Sequence, residues 1–447
     1  MNRASVLLIN PWIYDFAAYD LWAKPLGLLY LASLLRINGY EVKFIDCLDM
    51  YHPDLDKEPG LKRGVRRKYG TGRFYRQRMP KPLCLKDIPR YYYRYGLSHR
   101  LFVKELNRIE RPQAILVTSA MTYWYPGVFE VIRVCKGIWP GVPIILGGIY
   151  ATLCYSHARS YSGADFVIKG PAEGQILSLL EEITGKRPSI FLDSPSLDDF
   201  PYPAFDLIRK IDYVCLLTSR GCPFRCPYCA SHILQPRFYQ RRPEGVFREI
   251  LFWHRRYGVR EFAFYDDALL INAKEHIAPI LEMVIAEKIK VNFHTPNGLH
   301  IRFIDTKLSR LMYKAGFKVI RLGLETASDE NRLEKKTNYE EFIQAISYLK
   351  EAGFRGEQIG VYLLMGLPHQ DPREVEEAIK LVKGQGVVPH LAEYSPIPGT
   401  KLWQEAIRCS RYDLENEPLT QNNSAMPCLS EKFSWANVKR LKELRFS

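Results

Sequence analysis

Three cysteines in one short stretch have the types and spacing to do chemistry. Residues 219–229 read Ser-Arg-Gly-Cys-Pro-Phe-Arg-Cys-Pro-Tyr-Cys, which places Cys222, Cys226 and Cys229 at C-x3-C-x2-C. Gly221, Pro223 and Pro227 keep the stretch irregular, so three thiolates can converge. Three soft ligands suit a zinc ion or an iron–sulfur cluster. A structural zinc wants a fourth ligand, and His232 is the nearby candidate for a Cys3His knuckle. A [4Fe–4S] cluster held by three cysteines keeps one iron open to a substrate or cofactor. Zinc sites usually show paired C-x2-C arms, and this stretch has only one.

Polar residues recur where apolar runs end. Asp266 and Asp267 follow Phe262 to Tyr265, Asn297 follows Val291 to His294, and Glu325 and Ser328 follow Val319 to Leu324. Taken singly, Asp, Asn and Ser at such points serve as helix N-caps; as a series at successive strand ends they could form one site. Earlier, Ser119-Ala120-Met121 follows the run Ala114 to Thr118, and Gly147-Gly148 follows Pro143 to Leu146, with residues 122–146 between them.

These residues need elements to carry them. Val6 to Asn10, Val42 to Ile45, Ala114 to Thr118, Pro143 to Leu146 and Phe166 to Ile168 read as buried strands. Helices over 25–38 and 126–138 alternate with them, and Gly170 ends the last strand. This pattern predicts an α/β fold with a doubly wound parallel sheet and a ligand site at the carboxyl ends of its strands. Residues 187–212, rich in Pro and Ser, read as a linker. Six further strand–helix units follow, with strands at 213–218, 262–265, 291–294, 319–324, 359–364 and 387–394. The expected division is 1–186, the linker 187–212, a second domain over 213–405, and a tail 406–447 whose helix Ser434 to Arg445 packs on it.

The 447 residues are 47% hydrophobic and 25% charged, ordinary for a globular protein. No run reaches the roughly 20 apolar residues of a membrane span, and the start of the chain carries no signal peptide, so a cytoplasmic protein is expected. Ten cysteines without regular pairing point to reduced thiols, and Cys47, Cys84, Cys135, Cys154, Cys215, Cys409 and Cys428 receive no role. The net charge of +14 is concentrated: residues 61–100 hold thirteen Lys and Arg against Asp87 alone. Tyrosines interleave this basic stretch, which lies in an insertion over about 50–111. It reads either as a solvated insertion packed by its tyrosines or as a lid gripping an anionic substrate.

The cysteine loop resembles that of the radical S-adenosylmethionine (radical SAM) superfamily, in which an aromatic residue precedes the third cysteine; Tyr228 fills that position. The resemblance implies that Cys222, Cys226 and Cys229 ligate a [4Fe–4S] cluster whose open iron binds SAM. It also implies a partial (β/α)6 barrel with its chemistry at the C-terminal ends of the strands, and SAM contacts from Tyr228, Asp266, Asp267, Asn297, Glu325 and Ser328. The Ser119 and Gly147-Gly148 elements are similar to those of cobalamin-binding domains, with Met121 in place of leucine. Ser119, Met121, Gly147, Gly148, Gly170 and Glu173 would then surround cobalamin, the serine approaching its nucleotide tail. The loop Pro11 to Ala23 lacks the Asp-x-His-x-x-Gly of that family, so no histidine stands below cobalt.

Together the resemblances imply a cobalamin-dependent radical SAM methyltransferase. Such an enzyme uses a 5′-deoxyadenosyl radical and methylcobalamin to methylate an unactivated carbon, and it needs an electron donor to reduce the cluster. The alternatives are a radical SAM enzyme of cyclisation or rearrangement, and a nucleic-acid-binding protein with a structural metal.

Overall fold

The computed structural model describes residues 4–190, 196–326 and 338–445. The chain forms two compact units, one of 1–212 with 415–425 and one of 213–414 with 426–447.

In the first unit the apolar runs become β1 (Ser5–Asn10), β2 (Glu41–Asp46), β3 (Ala114–Val117), β4 (Ile144–Leu146) and β5 (Phe166–Val167). They pair in the order β5-β4-β3-β1-β2, all parallel. The order reverses between β1 and β3, where doubly wound sheets open a ligand crevice. Helices Leu26–Ile37, Tyr125–Ile138 and Glu173–Thr184 bury apolar faces in this unit.

The second unit holds β6 (Val214–Leu216), β7 (Glu261–Phe264), β8 (Asn292–His294), β9 (Phe317–Glu325), β10 (Ile359–Met365) and β11 (Val388–Glu393), parallel and in sequence order. This is the six-stranded partial-barrel arrangement. Phe262, Phe264, Phe293 and Phe317 are among its largest fully buried side chains. Asp305 caps the helix Thr306–Ala315 through the Leu308 amide, and Gly316 closes it in the left-handed conformation. The helix Trp435–Leu444 belongs to this unit and docks through Lys442 on Glu393 and Arg440 on Glu376.

Two stretches behave differently from their sequence reading. Residues 196–212 pack on the first unit: Phe200 and Phe205 are buried, Ser33 donates to the Tyr202 carbonyl, and Arg36 pairs with Asp206. The tail divides. Residues 415–425 belong to the first unit, where Asn422 donates to Asp15, Tyr125 donates to Glu417, and Cys154 lies against Gln421. Apolar periodicity gives no sign of this, because the buried residues Thr420, Gln421, Asn422 and Ser424 are polar and are satisfied pairwise.

The basic insertion folds as two small antiparallel sheets, 13–15 with 92–95 and 76–79, and 19–20 with 72–73 and 65–66. Its cations are partly spent inside the unit. Arg66 binds the fully buried Asp20 and lies 3.3 Å from Asp212, Arg94 lies 3.2 Å from Glu130, and Arg100 binds Glu58. Others lie over tyrosines, as Arg78 does 3.9 Å above Tyr91. Arg66→Ala should therefore cost about 3 kcal/mol, because it strips the guanidinium from a buried carboxylate. Arg78→Ala, beside an exposed ring, should cost under about 1 kcal/mol. Anaerobic thermal unfolding of the two variants reads the contrast.

Candidate functional site

The cysteine loop leaves β6 at a knot of hydrogen bonds. The Asp266 carboxylate, 3% exposed, accepts from the Thr218 amide at 3.0 Å, the Thr218 hydroxyl at 2.7 Å and the Ser219 hydroxyl at 2.6 Å. His276 lies 2.9 Å from the same Thr218 hydroxyl, and Arg241 donates to the Leu217 carbonyl at 3.0 Å. Burial pushes the Asp266 carboxyl up to about 6, against the pull of its donors. Ser219–Arg220 pairs antiparallel with Tyr239–Gln240. Gly221 then turns at φ 76°, where a β-carbon would stand 2.5 Å from the Arg237 carbonyl oxygen, so only glycine fits.

Beyond the turn, the Phe224 ring stacks on His300 with centroids 4.6 Å apart. The Cys229 amide donates to the Cys226 carbonyl, and the Leu402 amide to the Pro227 carbonyl, both at 3.0 Å. The Ser231 amide donates to the Cys229 sulfur at 3.4 Å.

Cys222, Cys226 and Cys229 line one cavity of about 440 Å³, with Tyr228, Asp267, Asn297 and Glu325 in its wall. Among the described residues no three His, Cys, Asp or Glu side chains stand close enough together to hold one metal ion. Three thiolates bound to three separate irons stand farther apart than the ligands of one ion. A cavity lined by three thiols and open beside them fits a cluster on this ground.

The sequence-predicted polar residues separate. Asp267, Asn297 and Glu325 line the cavity, and burial raises the Asp267 carboxyl. Asp266 does not line the cavity; its carboxylate lies in the knot, accepting from Thr218 and Ser219. Ser328 lies outside the described residues. Asn297 donates to the Tyr265 and Asp266 carbonyls at 3.0 and 3.1 Å, leaving its own carbonyl oxygen to the cavity.

Glu325 sits at φ 72°, beyond a register shift between Gly323 and Glu325 where β9 pairs with β10. Bulges of this kind re-aim a side chain beside a site, and the left-handed backbone is strained for a residue with a β-carbon. The Tyr228 hydroxyl donates to Glu325, and desolvation with that carboxylate drives the phenol far up.

Sequence reasoning missed Gly298, Gly323, His300 and Tyr362, which also line the cavity. A β-carbon on Gly298 would meet the Gly323 nitrogen at 3.1 Å, so the two glycines let the loop after β8 close onto β9. The only sequence signal was a glycine within each strand-end stretch.

In the first unit, Ser119 is 3% exposed; it donates to the Gly147 carbonyl at 2.7 Å and accepts from the Ala151 amide at 3.2 Å. It therefore joins the loops after β3 and β4, with one acceptor site left over. Gly148, at φ 99°, packs so closely that a β-carbon would stand 2.2 Å from the Ser119 carbonyl oxygen. A β-carbon on Gly147 or Gly170 would meet nothing within 4 Å. Met121 and Ile149 expose 45% and 36% of their surface on the same loops. Glu173 begins the helix Glu173–Thr184. The edge thus offers apolar side chains and glycine-lined space, which suits a large planar ligand.

A thiol-lined cavity at strand ends of a partial barrel, following a parallel sheet with a glycine-lined edge, is the architecture of a radical SAM protein with a cobalamin-type domain. A Radical SAM superfamily model matches 216–382, and a B12 binding domain model matches 98–180. The chain thus carries a radical SAM domain preceded by a B12 binding domain. It is 24% identical to an uncharacterised methyltransferase of Pyrococcus horikoshii, over 86% of this chain and 78% of that protein. It is 25% identical to an anaerobic magnesium-protoporphyrin IX monomethyl ester cyclase of Cereibacter sphaeroides, over 69% of this chain and 55% of the cyclase. It is 22% identical to the cytidylyl-2-hydroxyethylphosphonate methyltransferase of Streptomyces wedmorensis, over 92% and 83%. The solved structure of the radical SAM methyltransferase TsrM from Kitasatospora setae shares the fold, with TM-score 0.67 at 15% identity over 91% of this chain and 75% of that one.

Asp266→Ala should cost about 3 kcal/mol, since it leaves buried donors of Thr218 and Ser219 unsatisfied. Asp267→Ala, at the cavity wall, should unfold within about 1 kcal/mol of the parent. Equal losses in thermal unfolding would contradict the separation of the two carboxylates.

Proposed function

We propose that this chain is a cobalamin-dependent radical SAM methyltransferase acting on an unactivated carbon. The observation that carries this reading is the three-thiol cavity in a chain that also holds a B12 binding domain. Methyltransferases among the relatives, matched over most of this chain, support it.

Cys222, Cys226 and Cys229 would hold the [4Fe–4S] cluster, and Asp267, Asn297, Glu325 and Tyr228 would surround SAM. The carboxylates of Asp267 and Glu325 suit the SAM ammonium and ribose hydroxyls as charged acceptors. Tyr228 fixes the Glu325 carboxylate through its hydroxyl. Gly298 and Gly323 bring backbone close to whatever fills the cavity. Ser119 and Gly148 would hold the loops that frame cobalamin, while Met121, Gly147 and Gly170 would face it, with Glu173 at the following helix start. The cluster with SAM supplies a hydrogen-abstracting radical and cobalamin carries the methyl group; the chain orients both and excludes water.

Among the described residues no helix is long and apolar enough to cross a membrane. Among the described residues no cysteine is in a disulfide. A reducing cytoplasm suits that thiol content, and the substrate and electron donor are small molecules or proteins met there.

The cyclase of Cereibacter sphaeroides favours one second reading, carbon–carbon ring closure without methyl transfer. Product analysis separates the two. With substrate and SAM bearing a deuterated methyl group, a methyltransferase yields 5′-deoxyadenosine and S-adenosylhomocysteine in equal amounts, with label in the product. Deoxyadenosine alone, with unlabelled product, would establish the cyclase type.

Gly147→Val should leave thermal unfolding within about 2 °C of the parent, because the added carbons enter open space. It should weaken cobalamin uptake at least tenfold, measured by absorbance titration. Undiminished uptake would place the ligand elsewhere.

A further inference from the structure

The last two cysteines of the chain form a pair that the reaction does not use. Cys409 ends the helix Trp403–Cys409, half-buried; Cys428, 4% exposed, lies on the returning chain. The Cys409 thiol donates to the Ala406 carbonyl at 3.5 Å. Both sit in one apolar cluster with Tyr394, Leu402 and Leu414, against which Tyr228 of the cysteine loop also packs. The Tyr394 hydroxyl is buried there with no hydrogen-bond partner among the described residues.

Their place in the chain is as telling as the cluster they share. Residues 410–427, which the pair brackets, include 415–425, the segment that belongs to the first unit; the chain leaves the barrel unit at Leu414 and rejoins it at Met426. Cys409 and Cys428 thus stand on the two stems of that excursion.

We propose that Cys409 and Cys428 are a thiol–disulfide redox site, oxidised by small disulfides of the oxidised-glutathione class, whose bond ties the stems of the 410–427 excursion together. The half-buried Cys409 is the attacking sulfur. As thiolate it displaces one glutathione thiolate, giving a mixed disulfide. The Cys428 sulfur then attacks the Cys409 sulfur, releases the second glutathione and gives up its proton. Two protein thiols are oxidised and one small disulfide is reduced to two thiols. The partner thiol holds Cys409 below the usual thiol range. Burial pushes Cys47, Cys84, Cys135 and Cys154 up, which makes them poor competitors. In the dithiol state packing alone holds the stems; in the disulfide state an 18-residue loop is closed.

The test uses the anaerobic, cluster-loaded protein equilibrated at graded ratios of oxidised to reduced glutathione, quenched with acid and alkylated. Peptide mass spectrometry should find a Cys409–Cys428 link at ratios where Cys47, Cys135 and Cys215 remain alkylated. Cys428→Ser should stop at a Cys409–glutathione adduct, and Cys409→Ser should leave Cys428 unmodified. Oxidised parent protein should melt about 5 °C higher than reduced, a gain absent from Cys428→Ser. The site is overturned if the parent accumulates the glutathione adduct at Cys409 without the link, or if other thiols oxidise while both remain reduced. A link that leaves the melting temperature unchanged would overturn the tying of the stems.

Discussion

Thr218 and Ser219 give three hydrogens to the buried carboxylate of Asp266, and the whole cysteine loop lies downstream of that knot. A carboxylate out of water is unfavourable unless donors surround it, and here the donors come from the residues that must be held still. The knot joins the end of β6 to the end of β7, so the loop leaves the sheet from a fixed point. Gly221 then allows the turn, the Phe224–His300 stack sets the far side, and the Leu402 amide on Pro227 anchors the middle. With those fixtures, three thiols need only short, irregular backbone to face one cavity.

The opposite wall is built on strain. The irregularity that ends the regular pairing of β9 with β10 leaves Glu325 in a left-handed backbone, with its carboxylate in the cavity under the Tyr228 hydroxyl. Gly298 against Gly323 lets neighbouring loops approach more closely than side chains would permit. Acidic groups thereby gather in a partly desolvated space next to three thiols, where a cationic ammonium binds favourably. The first unit follows the same logic: Ser119 and Gly148 lock two loops together, so that Gly147 can stand free beside them.

Much of this was legible in the sequence because parallel strands are continuous apolar runs, and their ends are marked by the residue types that chemistry needs. The six barrel strands and five sheet strands were found within a residue or two. Which of two adjacent carboxylates faces the cavity was not legible: Asp266 and Asp267 have the same side chain, and only the course of the backbone beyond β7 separates them. The return of 415–425 to the first unit was hidden as well, because Thr420, Gln421, Asn422 and Ser424 are buried amides and hydroxyls, and a partner such as Asp15 for Asn422 is distant in sequence. In the basic insertion the pairing was not legible, since net charge counts cations and says nothing of the buried acids, such as Asp20, that they neutralise.

The central claim is that the three thiols hold an iron–sulfur cluster with an iron open to SAM. Electron paramagnetic resonance of the anaerobically purified, reduced protein, recorded with and without SAM, tests it most directly. The account predicts a [4Fe–4S]⁺ signal whose g-values shift when SAM is added, and no such signal from a variant with Cys222, Cys226 and Cys229 all changed to Ala. A protein that holds zinc and no iron, or a cluster signal that SAM leaves unchanged, would contradict it.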